Sequence, residues 1–151
     1  MLENVKTFKY LGITVSAKNC SFSSTVEDLS IKASRAICAL NNKIKVSKLP
    51  PRLALKIFNT QVVPILLYGS EAWGPYMDFN YSTWDKSKIE RAHTQYLKSL
   101  LGCNYNTSNI MARGELGVRP LIIQVIQRVV FYANSIKNRN LSIVHTAFEH
   151  E

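Results

Sequence analysis

From Val26 to Ile44, the apolar residues Val26, Leu29, Ala33, Ala36, Ile37, Leu40 and Ile44 recur at three- and four-residue steps. That spacing gathers side chains into one stripe along an α-helix. The rhythm returns in Leu53, Ile57, Phe58, Val62, Ile65 and Leu66, and again in Ile89, Tyr96, Leu97, Leu100 and Leu101. A further stretch, Leu121 to Ala133, is nearly continuous in apolar residues and predicts the most buried helix of the chain. Amphipathic helices of this kind bury their stripes against one another, so the chain must build a helical layer.

Punctuation sets the helix limits. Ser24-Thr25-Val26-Glu27 has the pattern of a capping box and starts the first helix. Pro50-Pro51 closes it and opens a second, which should kink at Pro64. Pro75 to Asp85 reads as an aromatic-rich loop, and a third helix runs from about Lys86 to Leu101 with Asp85 as its cap and Gly102 as its stop. Within it Ile89, Tyr96 and Leu97 bury while Lys88, Arg91 and Lys98 stay wet. Shorter and longer helices follow at Ser108 to Glu115 and Pro120 to Lys137, with a weaker one from Leu141 to His150.

Only the beginning of the chain reads differently. Val5 to Val15 is dense in strand formers, and Gly12 with Ser16-Ala17-Lys18-Asn19 supplies turns, so a short β-hairpin is expected there. An isolated hairpin is marginal in water, hence its support must come from the helices or from a partner. The expected fold is mainly α: a bundle of five or six helices with a short N-terminal β-hairpin. Its parts are the hairpin in 1–18, the helical body in 24–138, and a tail or short helix in 139–151.

The 19 Lys and Arg against 10 Asp and Glu give a net charge of +9. Residues 1–75 carry ten basic and four acidic side chains, hence +6, and residues 76–151 carry nine and six, hence +3. A polyanion is the natural partner, and the first half is its expected contact surface. Cys20, Cys38 and Cys103 are odd in number and unpaired in spacing, which indicates neither a disulfide framework nor a zinc module. An intracellular location follows, with Cys38 and Cys103 expected as core thiols. The N-terminus has no secretory h-region, and the longest apolar run, Val62 to Tyr68, is far shorter than the ~20 residues of a membrane-spanning helix.

Catalytic patterns are missing from the sequence. Phosphoryl transfer uses carboxylates that hold paired divalent metals, yet no acid here sits in an Asp-Asp turn between strands. Glu27-Asp28 is the only adjacent acidic pair, and it falls near a helix start, where the dipole accounts for it. His93, His145 and His150 stand apart. Neither a Gly-rich phosphate loop nor a G-x-S-x-G elbow occurs, so neither catalysis nor a cofactor is expected of this chain.

Phe8-Lys9-Tyr10-Leu11-Gly12-Ile13 resembles the block that closes the palm of reverse transcriptases from non-LTR (LINE-type) retrotransposons, where it forms the primer-grip hairpin. Later blocks follow in the same order: Leu49-Pro50, Pro64-Ile65-Leu66-Leu67-Tyr68-Gly69-Ser70-Glu71-Ala72-Trp73, Ile89-Glu90-Arg91-Ala92-His93, Leu100-Leu101-Gly102, and Arg113-Gly114-Glu115-Leu116-Gly117. The likeness spans about Val5 to Asn138. It implies the end of a palm followed by a helical thumb and its extension, with a nuclear or cytoplasmic location. The fingers, the catalytic palm strands, any endonuclease and any Cys/His knuckle have no counterpart here. The complete enzymes are RNA-directed DNA polymerases that use magnesium.

This resemblance and the residue chemistry point to the same side chains. A turn flanked by Lys6, Lys9 and Tyr10, with Gly12 at its tip, suits a phosphate backbone near a reacting end. Lys32, Arg35, Lys43 and Lys45 lie opposite the buried stripe and suit a clamp on an RNA-DNA or other primer-template duplex; Lys88 and Arg91 add to it. Arg113 and Arg119 flank Gly114 and Gly117, where they would reach phosphate or cap helix ends. Tyr68, Trp73, Tyr76 and Trp84 are expected mainly in the core. The leading expectation is a nucleic-acid-binding fragment of a retrotransposon polymerase. Its rivals are a protein-interaction module, using the surface a palm would cover, and a truncated element product without function.

Overall fold

The computed structural model describes residues 6–16, 21–44 and 48–138. An antiparallel hairpin, β1 (Thr7–Tyr10) and β2 (Ile13–Ser16), precedes a run of helices: α1 (Ser23–Ile44), α2 (Pro51–Gln61), α3 (Val63–Leu66), α4 (Ser70–Trp73), α5 (Tyr81–Trp84), α6 (Lys88–Leu100), α7 (Asn109–Leu116) and α8 (Leu121–Lys137). Five of these have eight residues or more, so the fold is mainly α with a short hairpin, as the sequence indicates. Among the described residues no single helix is long and apolar enough to cross a membrane.

The core forms where α1 packs on α3 and α6, and where α6 and α4 pack on α8. Val26, Leu29 and Ala33 of α1 share one core with Phe58 of α2, Val62 at the junction of α2 and α3, Leu66 of α3 and Leu67 just after it. Phe58 stacks on Tyr96 with ring centroids 4.2 Å apart, and the Tyr96 hydroxyl donates to the Ala54 carbonyl. The continuous stripe breaks at Val62, between α2 and α3, because Pro64 belongs to a first helical turn. Trp73 and Trp84 are buried, whereas Tyr68 and Tyr76 are exposed.

Several local expectations give way to tertiary contacts. Helix α1 starts at Ser23, and Ser24 and Glu27 form no capping box. Instead the Ser24 and Thr25 hydroxyls donate to the Thr14 carbonyl, and the Glu27 carboxylate pairs with Lys88. At α6 the cap is Ser87, whose hydroxyl accepts from the Glu90 amide, since Asp85 is committed to Asn109 and Arg113. Gly102, at φ +65°, does end that helix. The stretch 75–85 contains a 3-10 turn and α5, the latter capped by Asn80.

Helix α6 is the most buried element: every position from Ile89 to Lys98 except Arg91 and Gln95 is buried. Lys98, expected in water, lays its stem along the fold and donates from Nζ to the Tyr105 carbonyl at 2.8 Å. By contrast α8 buries only Leu121, Ile122 and Val125, and leaves Ile126, Val130, Phe131 and Tyr132 exposed. Cys38 and Cys103 are exposed as well: the first lies on the Arg35 side of α1, the second just past the end of α6. Cys20, Lys45 and the expected Leu141–His150 helix lie outside the described residues.

Candidate nucleic-acid interface

The hairpin turn is Leu11-Gly12, with φ +47° and +85°, the positive pair that matches the twist of a two-residue hairpin. Gly12 takes its angle freely, but Leu11 is strained there, at a cost of about 1 kcal/mol. The Tyr68 hydroxyl offsets this by donating to the Leu11 carbonyl at 2.8 Å. On the other strand, the Thr25 hydroxyl accepts from the Thr14 amide at 2.7 Å and donates to the Thr14 carbonyl at 2.8 Å. The helices thus supply the support that an isolated hairpin lacks. Lys6, Lys9 and Tyr10 are exposed on the outer strand or just before it, and Tyr10 stacks on Phe8.

Lys32, Arg35 and Lys43 are all exposed along α1. Helical geometry puts Lys43 about 16 Å along the axis from Lys32 and only about 20° around it, while Arg35 is turned away by about 60°. Lys32 lies at the hairpin: with Leu11, Gly12, Tyr68, Leu29, Pro64 and Ile65 it lines a shallow cleft of about 390 Å³. Arg35 borders a separate shallow hollow with Ser34, Cys38 and Asn42. The fold therefore gathers Gly12 and Lys32 at one cleft and spreads the other cations over a broader surface. Lys88 is half-exposed and paired with Glu27, so of the expected cations it is one that already has a partner. Arg91 and Arg119 are exposed on α6 and before α8.

Arg113 is placed elsewhere, and this removes it from the candidate surface. It is 4% exposed, and its guanidinium reaches Asp85 at 2.9 Å, Glu90 at 3.0 Å and the Tyr81 hydroxyl. Gly114 lies inside α7, so the turn expected there is made by Gly117 alone. Burial would lower the basicity of Arg113, but the Asp85 hydrogen bond and the charges of Glu90 and Asp85 raise it above its ordinary value.

Glu90 is the centre of this buried cluster; the sequence placed it in the block Ile89-Glu90-Arg91-Ala92-His93 without giving it a role. Its two oxygens take His93 Nδ1 at 3.1 Å, Arg113 Nη1 at 3.0 Å, Trp84 Nε1 at 2.8 Å and the Leu121 amide at 2.9 Å. Burial pushes its carboxyl up; the hydrogen bond and charge of His93, with the Trp84 and Leu121 N–H groups, outweigh burial and hold it below its ordinary range. One side chain thereby joins α5, α6, α7 and the amino end of α8, where a negative charge also suits the helix dipole. One pattern could have revealed it: Glu90 and His93 share the face that carries Ile89, Tyr96 and Leu97, and a carboxylate on an apolar face needs partners.

Among the described residues, no three His, Cys, Asp or Glu side chains come together to hold a metal ion. No family model, curated protein or solved structure matches the chain.

Proposed function

We propose that this chain is a nucleic-acid-holding piece of a LINE-type reverse transcriptase: the end of the palm with the thumb. It would bind primer-template duplex by its backbone, without catalysing polymerisation itself. The observation that carries this reading is the seating of the hairpin on α1 and Tyr68, which brings Gly12 and Lys32 to one cleft, with Lys6, Lys9, Arg35 and Lys43 exposed elsewhere on the hairpin and α1. Phosphate recognition needs exposed cations at duplex spacing and no sequence-reading groups. The ordered sequence blocks supply the family, and the +6 charge of residues 1–75 supplies the sign.

The test is the salt dependence of binding to an RNA-DNA hybrid. With about four phosphates neutralised, log affinity should fall against log salt with a slope of roughly −3 to −4. Replacing Lys32 and Arg35 with alanine should flatten that slope by about two at unchanged helix content, whereas Lys137→Ala should leave it alone. An unchanged slope in the double variant would sink the assignment of this face. A second reading, a protein-interaction module, is favoured by the apolar face of α8, where Phe131 is 78% exposed.

A further inference from the structure

The cleft beside the hairpin turn has a composition that backbone clamping does not require. A surface that only neutralises phosphates needs cations in water; this shallow cleft is lined by apolar Leu29, Pro64 and Ile65, by the ring of Tyr68, and by Lys32 as its one charged residue. Tyr68 is 49% exposed although its hydroxyl is tied to Leu11. Its ring is therefore held at the hydroxyl while about half of the residue stays open to solvent. Gly12 lies directly against the same ring, where a Cβ would come within 3.6 Å of it.

An aromatic ring held at its hydroxyl, an apolar lining and a single cation suit a nucleobase with its own phosphate outside. We infer that the cleft takes one unpaired base of the bound nucleic acid, stacked on Tyr68 with its phosphate on Lys32. This rests on the duplex-binding reading above and adds a ligand to it: the unpaired nucleotide at the junction of duplex and single strand. A base inside the duplex cannot enter, since both its faces are already stacked, and a terminal base is still held by its pairing partner. Binding should therefore favour a hybrid with an overhang over a blunt one, with little dependence on which base overhangs.

The test compares three hybrids of the same duplex: blunt, with one overhanging 2-aminopurine, and with one overhanging abasic nucleotide. The overhanging base should raise affinity about tenfold over the blunt hybrid, and binding should change its fluorescence. The abasic overhang should bind like the blunt hybrid. Tyr68→Leu should abolish the preference, and Tyr68→Phe, which keeps the ring and loses only the hydrogen bond to Leu11, should retain most of it. If the wild-type chain binds all three hybrids equally, the cleft inference is overturned and duplex binding stands. Failure to bind any of them overturns both. The abasic comparison uses the unaltered protein, so the question stays decidable even if Tyr68→Leu fails to fold.

Discussion

Replacing Glu90 with glutamine changes one oxygen to an amide nitrogen in a site where all four partners are donors or ring nitrogens. The remaining oxygen can still accept from Trp84 and Leu121, but the new NH2 then faces Arg113 Nη1, donor against donor. Removing one side of a buried ion pair costs about 3–5 kcal/mol. Arg113 keeps Asp85 at 2.9 Å, which places the loss near the lower end, at about 3 kcal/mol. For a chain of this size each kcal/mol moves the midpoint by about 2–4 °C, so thermal unfolding followed by far-ultraviolet circular dichroism should drop by about 6–12 °C. Glu27→Gln is the matched control, because it breaks a half-exposed pair with Lys88 and should cost under about 1 kcal/mol. A Glu90→Gln variant as stable as that control would refute the view that the carboxylate joins four elements.

The same group sets an acid limit. Its folded pKa is depressed, so its stabilisation is complete above the ordinary carboxylate value near 4.5 and is lost as pH falls through the lower folded value; unfolding midpoints should fall across that window, and less steeply in Glu90→Gln. Gly69→Ala should loosen the hairpin, because Gly69 sits at φ +63° and an added Cβ would lie 2.5 Å from Ile13 Cδ1; faster amide exchange of β2 than of α6 would show it. Phe131→Ser should change stability by less than about 0.5 kcal/mol while lowering the binding of an apolar dye; a large stability loss would mean that the ring is packed in solution.

The stripes of α1 and of α2 with α3 were legible because their partners are other stripes of the same chain, and Pro64 marks its break by chemistry that no packing can override. Helix α8 was misread for the opposite reason. Its run of apolar residues states what the helix could bury, but burial also needs a neighbour, and beyond Val125 the described residues provide little. The Ser24-Glu27 box and the Asp85 cap failed in a shared way: a local hydrogen bond was outbid by a distant one, to Thr14 in the first case and to Arg113 in the second. At the site, exposure of Lys32, Arg35 and Lys43 could be read from helical period, whereas the role of Tyr68 could not. It depends on a contact spanning 57 residues.

The hairpin meets the helices at three places that do not lie on one line in the chain: Thr14 on Thr25, the Leu11 carbonyl on Tyr68, and Ile13 against Gly69. Two such pins would define an axle about which the hairpin could rock; a third turns the joint into a bracket. A pull on the turn is then passed into α1 through Thr25 and into the turn after α3 through Tyr68. Tip and helices are thereby held as one piece, and a load on the turn is shared between α1 and the turn after α3.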